Sequence, residues 1–186
     1  MGGGLSGKNA ELLKELMPYA QRLALLINPD NPSYRAVNMQ KYLSYMASQL
    51  KAAVNTVEAR SADGVPAAIE AAVRARADGL IVFPDSVLDS ASERIAQLAA
   101  KHRLPTSHPY TPMVEAGGLV SYSVDIVAVV RRGADYVDKI LKGANPAELP
   151  VEQPTKFELA INLRTARALG LTVPRSLLIR ADRVID

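Results

Sequence analysis

Leu23-Ala24-Leu25-Leu26-Ile27-Asn28-Pro29-Asp30-Asn31-Pro32-Ser33 joins an unbroken apolar run to a cluster of turn formers. Five apolar residues without alternation have the length of one strand, and a strand with no polar face is buried on both sides. Asn, Pro and Asp supply the turn that follows. Val37, Met39, Tyr42, Leu43, Met46 and Leu50 then recur at helical spacing, which predicts a helix over 34–51 with Ser33 as its N-cap. A buried strand, a polar turn and an amphipathic helix form the first half of a βαβ unit.

The same unit recurs along the chain. Val54 to Ala59 reads as a second strand, Pro66 to Ala77 as a helix with proline in its first turn, and Gly79-Leu80-Ile81-Val82-Phe83 as a third strand. Ser90 to His102 predicts another helix, with Ile95 and Leu98 inward and the cations Lys101, His102 and Arg103 at its end. Leu104 to Ser107 and Leu119 to Tyr122 complete a fourth and fifth strand. Strands alternating with helices predict an α/β fold, a mostly parallel sheet with helices on both faces.

The last third has a different rhythm. Asp125 to Lys142 predicts a long helix stopped by Gly143, with Asp135–Lys139 and Asp138–Lys142 one turn apart. Beyond a proline-punctuated loop, Phe157 to Ile161 reads as a strand, Asn162 as the cap of a short helix to Leu169, and Pro174 as the start of a final helical segment.

Length and composition narrow the function. At 186 residues the chain is one large domain or one domain with an appendage, and 48% hydrophobic with 22% charged residues excludes a disordered or coiled-coil protein. Lys and Arg number 22 against 19 acidic residues, and they are scattered rather than arranged in a stripe, so nucleic acid is not an expected partner. With no cysteine and two histidines, disulfides, thiolate chemistry and a metal site are not expected, nor is any cofactor. The longest apolar run, Leu23 to Ile27, falls far short of the ~20 residues that span a bilayer. Met1 to Lys8 lacks the basic and apolar regions of a secretory signal, which implies a cytoplasmic protein if Met1 is the true start.

Gly2 to Lys8 spells G-x-x-x-x-G-K, but Asn9 stands where a phosphate-binding loop needs Ser or Thr, and no strand precedes it. The expected reading is a flexible start before a helix over 9–17. No G-x-G-x-x-G follows any strand, so a dinucleotide fingerprint is absent.

Open parallel sheets bind ligands outside the carboxyl ends of their strands. That rule selects Asn28, Asp30, Asn31 and Ser33 after the first strand, Asp85 and Ser86 after the third, Ser107 and His108 after the fourth, and Tyr122 and Ser123 after the fifth. These are short hydrogen-bonding groups, suited to holding a small polar molecule rather than breaking bonds. Asn28 and Ser33 serve equally as turn and helix caps, and His108 reads either as a turn residue or as a side chain facing the crevice. His102 beside Lys101 and Arg103 reads as a solvated helix end. Asp85 and Asp89 form a carboxylate pair, but such a pair close in sequence is common on any surface. No Ser or Cys nucleophile motif accompanies either histidine, so no catalytic residues are expected.

Several stretches taken in order resemble a known family: LSGK from Leu5, ELLKE from Glu11, Asn28-Pro29, KHRLP from Lys101, EAGGL from Glu115, YVDKILKG from Tyr136 and LPVEQPTKFEL from Leu149. They are similar to the substrate-binding proteins of ABC transporters, in the branch of uncharacterised transport systems related to aromatic amino-acid binders. The resemblance runs from Leu5 to the end. It implies the second lobe of a periplasmic-binding-protein type I (Rossmann-like) fold with a C-terminal crossover helix and strand, in a protein whose two lobes close on a solute.

In that family the segment like Leu5 to Lys8 lies in mid-chain, so most of a first lobe and the signal sequence are expected to be missing here. Ser123 stands where the branch has Gly after Ser-Tyr. The resemblance implies a Rossmann-like ligand-binding lobe over 1–122, a crossover helix and loop over 123–150, and a return strand with C-terminal helices over 151–186.

The expected function is binding of a small polar or amino-acid-like solute without chemistry, through Asn28, Asn31, Ser33, Asp85, Ser86, His108 and Tyr122. An ABC permease is the partner that the resemblance implies, and a periplasmic location follows from it. Two alternatives are a cytosolic ligand-sensing or interaction protein derived from the lobe, and a small hydrolase on the same fold, for which no nucleophile and base can be assembled. The helix Asp125 to Lys142 would pack on the first lobe of a full-length member. Without that lobe its apolar face is expected to make a homodimer centred on Val130, Ala134, Val137 and Leu141.

Overall fold

In a computed structural model of the chain, which describes residues 3–36 and 39–186, the apolar run becomes strand β1 (Arg22–Ile27). Its side chains divide by the two-residue period of a strand: Leu23, Leu25 and Ile27 enter one core, Ala24 and Leu26 the other. The remaining strands are β2 (Ala53–Glu58), β3 (Gly79–Val82), β4 (Thr106–His108), β5 (Val120–Val124), β6 (Phe157–Asn162) and β7 (Arg183–Ile185). They form one sheet in the order β2-β1-β3-β4-β5-β6-β7, parallel throughout except where β6 runs antiparallel to β5.

Helices cover both faces. The helices are α1 (Gly3–Leu16), α2 (Pro32–Ala36), α3 (Met39–Leu50), α4 (Val65–Arg74), α5 (Ser86–Ser90), α6 (Ser92–Lys101), α7 (Thr111–Glu115), α8 (Ile126–Leu141), α9 (Leu163–Ala168) and α10 (Arg175–Arg180). On one face Leu13 of α1, Met46 of α3 and Leu177 of α10 pack over β1, β3, β5 and β6. On the other, Val65 and Ile69 of α4, Leu88 of α5 and Ile95 of α6 pack over β1 and β3. Each fully buried Leu or Ile in these layers is worth roughly 1.5–3 kcal/mol relative to exposure.

Several expected boundaries move. Of the helix expected over 34–51, the described residues show α2 (Pro32–Ala36) and α3 (Met39–Leu50), and Val37 lies outside the described residues. Asn31, not Ser33, accepts at the start of α2, since the Ser33 amide donates to Asn31 Oδ1 at 2.7 Å. The helix expected over 90–102 begins earlier as α5 and restarts as α6, because Asp85 caps the first of the two. The short α7 and β7 were not expected. Of the Gly2 to Lys8 run, the part from Gly3 lies in α1, where Lys8 pairs with Glu11 at 3.0 Å, and Gly2 is outside the described residues. On α8, Lys142 pairs with Asp138 at 2.9 Å, whereas Asp135 pairs with Arg132 at 3.1 Å in place of the expected Lys139.

The chain leaves the sheet at the end of β5, runs out along α8 and returns through 143–156 to β6. The two crossings are joined where the Asp125 amide donates to the Lys156 carbonyl at 3.1 Å. Asp125 also caps α8, accepting from the Ala128 amide at 2.9 Å.

Candidate functional site: the carboxyl edge of the sheet

The loops after β1 and β3 are adjacent because their strands pair directly. Asp85, 7% exposed and in extended backbone, ties them together. Its Oδ1 accepts from the amides of Val87 and Leu88 at 2.9 and 3.2 Å, which caps α5. Its Oδ2 accepts from Asn31 Nδ2 at 2.8 Å and from Asn28 Nδ2 at 3.3 Å. Asn28, also 7% exposed, accepts from the Asp30 amide at 3.0 Å. The three residues therefore meet, and most of their hydrogen-bonding capacity goes into shaping both loops. Ser33 and Ser86 lie exposed at the starts of α2 and α5, beside this knot.

His108 and Tyr122 are placed differently. His108 ends β4 with no exposed surface; its Nε2 lies 2.9 Å from Thr106 Oγ1 and its Nδ1 has no partner. Burial holds its pKa down at about 4, so the ring is neutral at ordinary pH. Its ring fills the space beside Gly118, where an added Cβ would sit 2.3 Å from His108 Cδ2. Across the sheet His108 is in register with Ser121, which is equally buried and unpartnered, so this serine–histidine neighbourhood offers no surface to a substrate. Tyr122 is half-buried on the opposite face and stacks on Phe157, ring centroids 5.6 Å apart at 8°.

Asn9, read only as the residue that spoils a phosphate loop, has a structural task. Its Oδ1 accepts from the Tyr122 amide at 2.7 Å, and its Nδ2 donates to the Tyr122 carbonyl at 2.9 Å. One side chain thus supplies both bonds that a neighbouring strand would have made past the end of β4, and Ser107 Oγ donates to the same Oδ1 at 3.1 Å.

A concavity of about 610 Å³ opens beyond the ends of β4 and β5, against α7 and the start of α8. Asp89, Tyr110 and Glu158 bring polar groups to it, and Met113, Ile126 and Val127 bring apolar ones. Thr111 Oγ1 donates to Glu158 Oε2 at 2.9 Å, and Arg183 pairs with Glu115 at 2.5 Å. Burial raises the Asp89 carboxyl to about 6, against a hydrogen bond from the Asp85 backbone that lowers it and with a smaller push upward from the Asp85 charge. Apart from Ser123, which also lines this hollow, the sequence reading did not single these residues out as a wall. Asp89 lies on α5 and Thr111, Met113 and Glu115 on α7, two short helices that periodicity did not resolve, while Glu158 and Arg183 come from β6 and β7 and Ile126 and Val127 from the start of α8. Among the described residues no cluster of three metal-ligating side chains occurs.

Residues 5–185 match the family described as ABC transporter substrate binding protein. The chain belongs to that family. This substrate binding protein is similar to the crystal structure of a conserved domain protein from Vibrio cholerae, at 27% identity and a TM-score of 0.84 over 96% of this chain and 60% of that one. It is also similar to an ABC domain from Streptococcus pneumoniae in complex with L-Trp, at 25% identity and a TM-score of 0.83 over 97% and 62%. A LacI family transcriptional regulator from Enterococcus faecalis with bound ribose shares the fold at 17% identity and a TM-score of 0.58, over 86% and 59%. The chain thus spans about three-fifths of the length of each of these structures. Comparison with curated protein sequences finds no match. Substrate binding proteins of this family take up solutes outside the cytoplasm for ABC transporters, typically without chemistry. No helix among the described residues is long and apolar enough to cross a membrane.

Proposed function

We propose that this chain provides one clasping wall of the solute-binding component of an ABC-type transport system, holding a small polar or amino-acid-like ligand at the carboxyl edge of its sheet. The concavity of about 610 Å³ at the ends of β4 and β5 carries this reading: it is ligand-sized, open on one side and lined by both polar and apolar groups. The knot of Asn28, Asn31 and Asp85 extends the wall, with Ser33 and Ser86 at its border and Tyr122, on β5, a further ligand contact in this reading. His108 supports the wall from behind, since it has no exposed surface. Function follows from closure: a second surface meets the open side, water leaves, and hydrogen bonds to the ligand gain strength in the drier space.

In this reading residues 1–122 and 151–186 make up the lobe, and 123–150 reach outward toward whatever closes the site. Delivery would be to an ABC permease, in the periplasm. The α8 face, with Val130 67% and Leu141 82% exposed, supports pairing with a second copy. Mass spectrometry under native conditions tests both parts at once. The expected result is a two-subunit species and a co-purified small molecule; a solute-free monomer that binds none of a panel of amino acids and small polar solutes would overturn the reading.

A further inference from the structure

Among the described residues, three other than glycine hold left-handed backbone: Lys51 at φ +49°, Arg76 at +53° and Arg103 at +51°. They follow α3, α4 and α6 and lead the chain into β2, β3 and β4. Glycine or asparagine is the usual choice at such a position, because a larger side chain is strained there. The helix dipole favours a cation near a helix carboxyl end, but the last turn itself meets that preference, as Arg74 does on α4 and Lys101 on α6. It gives no reason to put a basic side chain on the strained residue three times over.

The sheet order β2-β1-β3-β4 sets these strand entries side by side along the amino edge. With strands about 4.8 Å apart, the four entries span roughly 15 Å. The Ala53 amide donates to the Gln21 carbonyl at 2.8 Å and the Asp78 amide to the Arg22 carbonyl at 2.7 Å, which joins the first three. Tyr19, 68% exposed, lies between α1 and β1, so it enters the edge between the turns that carry Lys51 and Arg76. The acids nearby are already engaged. Asp78 accepts from the amides of Gln21 and Arg22 at 2.8 Å and faces the Arg22 guanidinium at 3.7 Å, Glu70 faces Arg74 at 3.6 Å, and Glu15 faces Arg180 at 3.2 Å. Lys51, Arg76, Lys101 and Arg103 are exposed and have no acidic partner among the described residues. Along the chain these cations look scattered, since Lys51, Arg76 and Arg103 are each one βα unit apart; folding gathers them. A phenol flanked by cations suits a boundary that is negative at its surface and apolar beneath, because the ring has an apolar body and a polar tip. A leaflet of acidic lipids is such a boundary. We propose that the amino edge, through Tyr19, Lys51, Arg76, Lys101 and Arg103, docks on a membrane surface rich in acidic lipids. The carboxyl edge, at the other ends of the same strands, then faces away from the lipid, and the docking does not depend on the reading of the ligand wall.

Sedimentation of the full chain with vesicles tests the proposal, using mixed phosphatidylglycerol and phosphatidylcholine against phosphatidylcholine alone. Binding to the acidic vesicles is expected, weakening as salt rises, with none to the neutral ones. Lys51→Gly, Arg76→Gly and Arg103→Gly each remove one charge and put the residue that left-handed backbone favours in its place, so the variants are expected to fold, as a thermal melt checks. Each is expected to weaken binding about fivefold, and the three together about a hundredfold. Tyr19→Ser is expected to weaken binding with the salt dependence unchanged. Arg60→Gln, which removes one charge past the carboxyl end of β2, is expected to leave binding within about twofold. Equal binding to both kinds of vesicle, no binding to the acidic ones, or a triple variant that binds like the parent would overturn the proposal. Binding of poly-glutamate without binding of acidic vesicles would overturn the lipid assignment in favour of an acidic protein partner.

Discussion

Both carboxylate oxygens of Asp85 are used inside the fold, one capping α5 and the other accepting from Asn28 and Asn31. Asp85→Ala removes the cap and leaves two side-chain amides without their acceptor, and is expected to lower stability by about 2–3 kcal/mol. A fall in the denaturant midpoint at unchanged slope is the measurement. Gly118→Ala would press a Cβ against the His108 ring and within 3.0 Å of the Met113 carbonyl, with an expected loss of about 1–3 kcal/mol by the same assay. Two titrations of opposite sign meet in mild acid. His108 has a pKa of 6.5 unfolded and about 4 folded, so the unfolded chain binds the extra proton and stability is lost as pH falls from about 6.5 to 4. Asp89 moves from 3.8 to about 6, so the folded state binds the extra proton and stability falls as pH rises from about 4 to 6. Asp89→Asn leaves His108 unopposed. It is expected to raise Tm at pH 7 by roughly 2–4 °C and to make the loss of Tm on acidification steeper. Asn28, Asn31 and Asp85 could be picked from the sequence because strand ends can be located by period and turn residues. The task of Asn9 could not, since it depends on a strand distant in the chain.

The long helix α8 has an apolar face and no buried residue. Ile126, Val127, Val130, Val137 and Leu141 are all exposed, a set larger than a monomer ordinarily leaves in water. What holds the segment against the returning chain is polar: Arg132 binds Glu152 in a bidentate pair at 2.7 and 2.5 Å, and the Tyr136 hydroxyl donates to the Pro150 carbonyl at 2.7 Å. The Arg132 guanidinium keeps the Glu152 carboxyl down at about 2, so this clasp persists through mild acid. The exposed face forgoes roughly 1.5–3 kcal/mol for each large side chain left uncovered. Val137→Glu places a charge at its centre and is expected to convert a dimer to monomer or aggregate in analytical ultracentrifugation; a variant that stayed dimeric and equally stable would remove this face from the interface. The helix itself was legible from its period, its Asp125 cap and its Gly143 stop, where φ is +99°. The break between α5 and α6 was not, because the apolar spacing continues across it.

At the scale of the whole chain, the proposed single wall would leave much of a ligand in water, and affinity of the 186-residue chain for a free amino acid is expected to be weak. Calorimetry should give dissociation constants well above micromolar, and sub-micromolar binding by a monomer would contradict this. The α/β class, the parallel core of the sheet and the positions of its first three strands follow from the sequence alone, because strand period, helix period and turn chemistry act over a few residues. The antiparallel return of β6, the added edge β7 and the mixed lining of the concavity were decided by the tertiary structure. Those features depend on which elements become neighbours after the chain has travelled out along α8 and back, and local period carries no record of that choice.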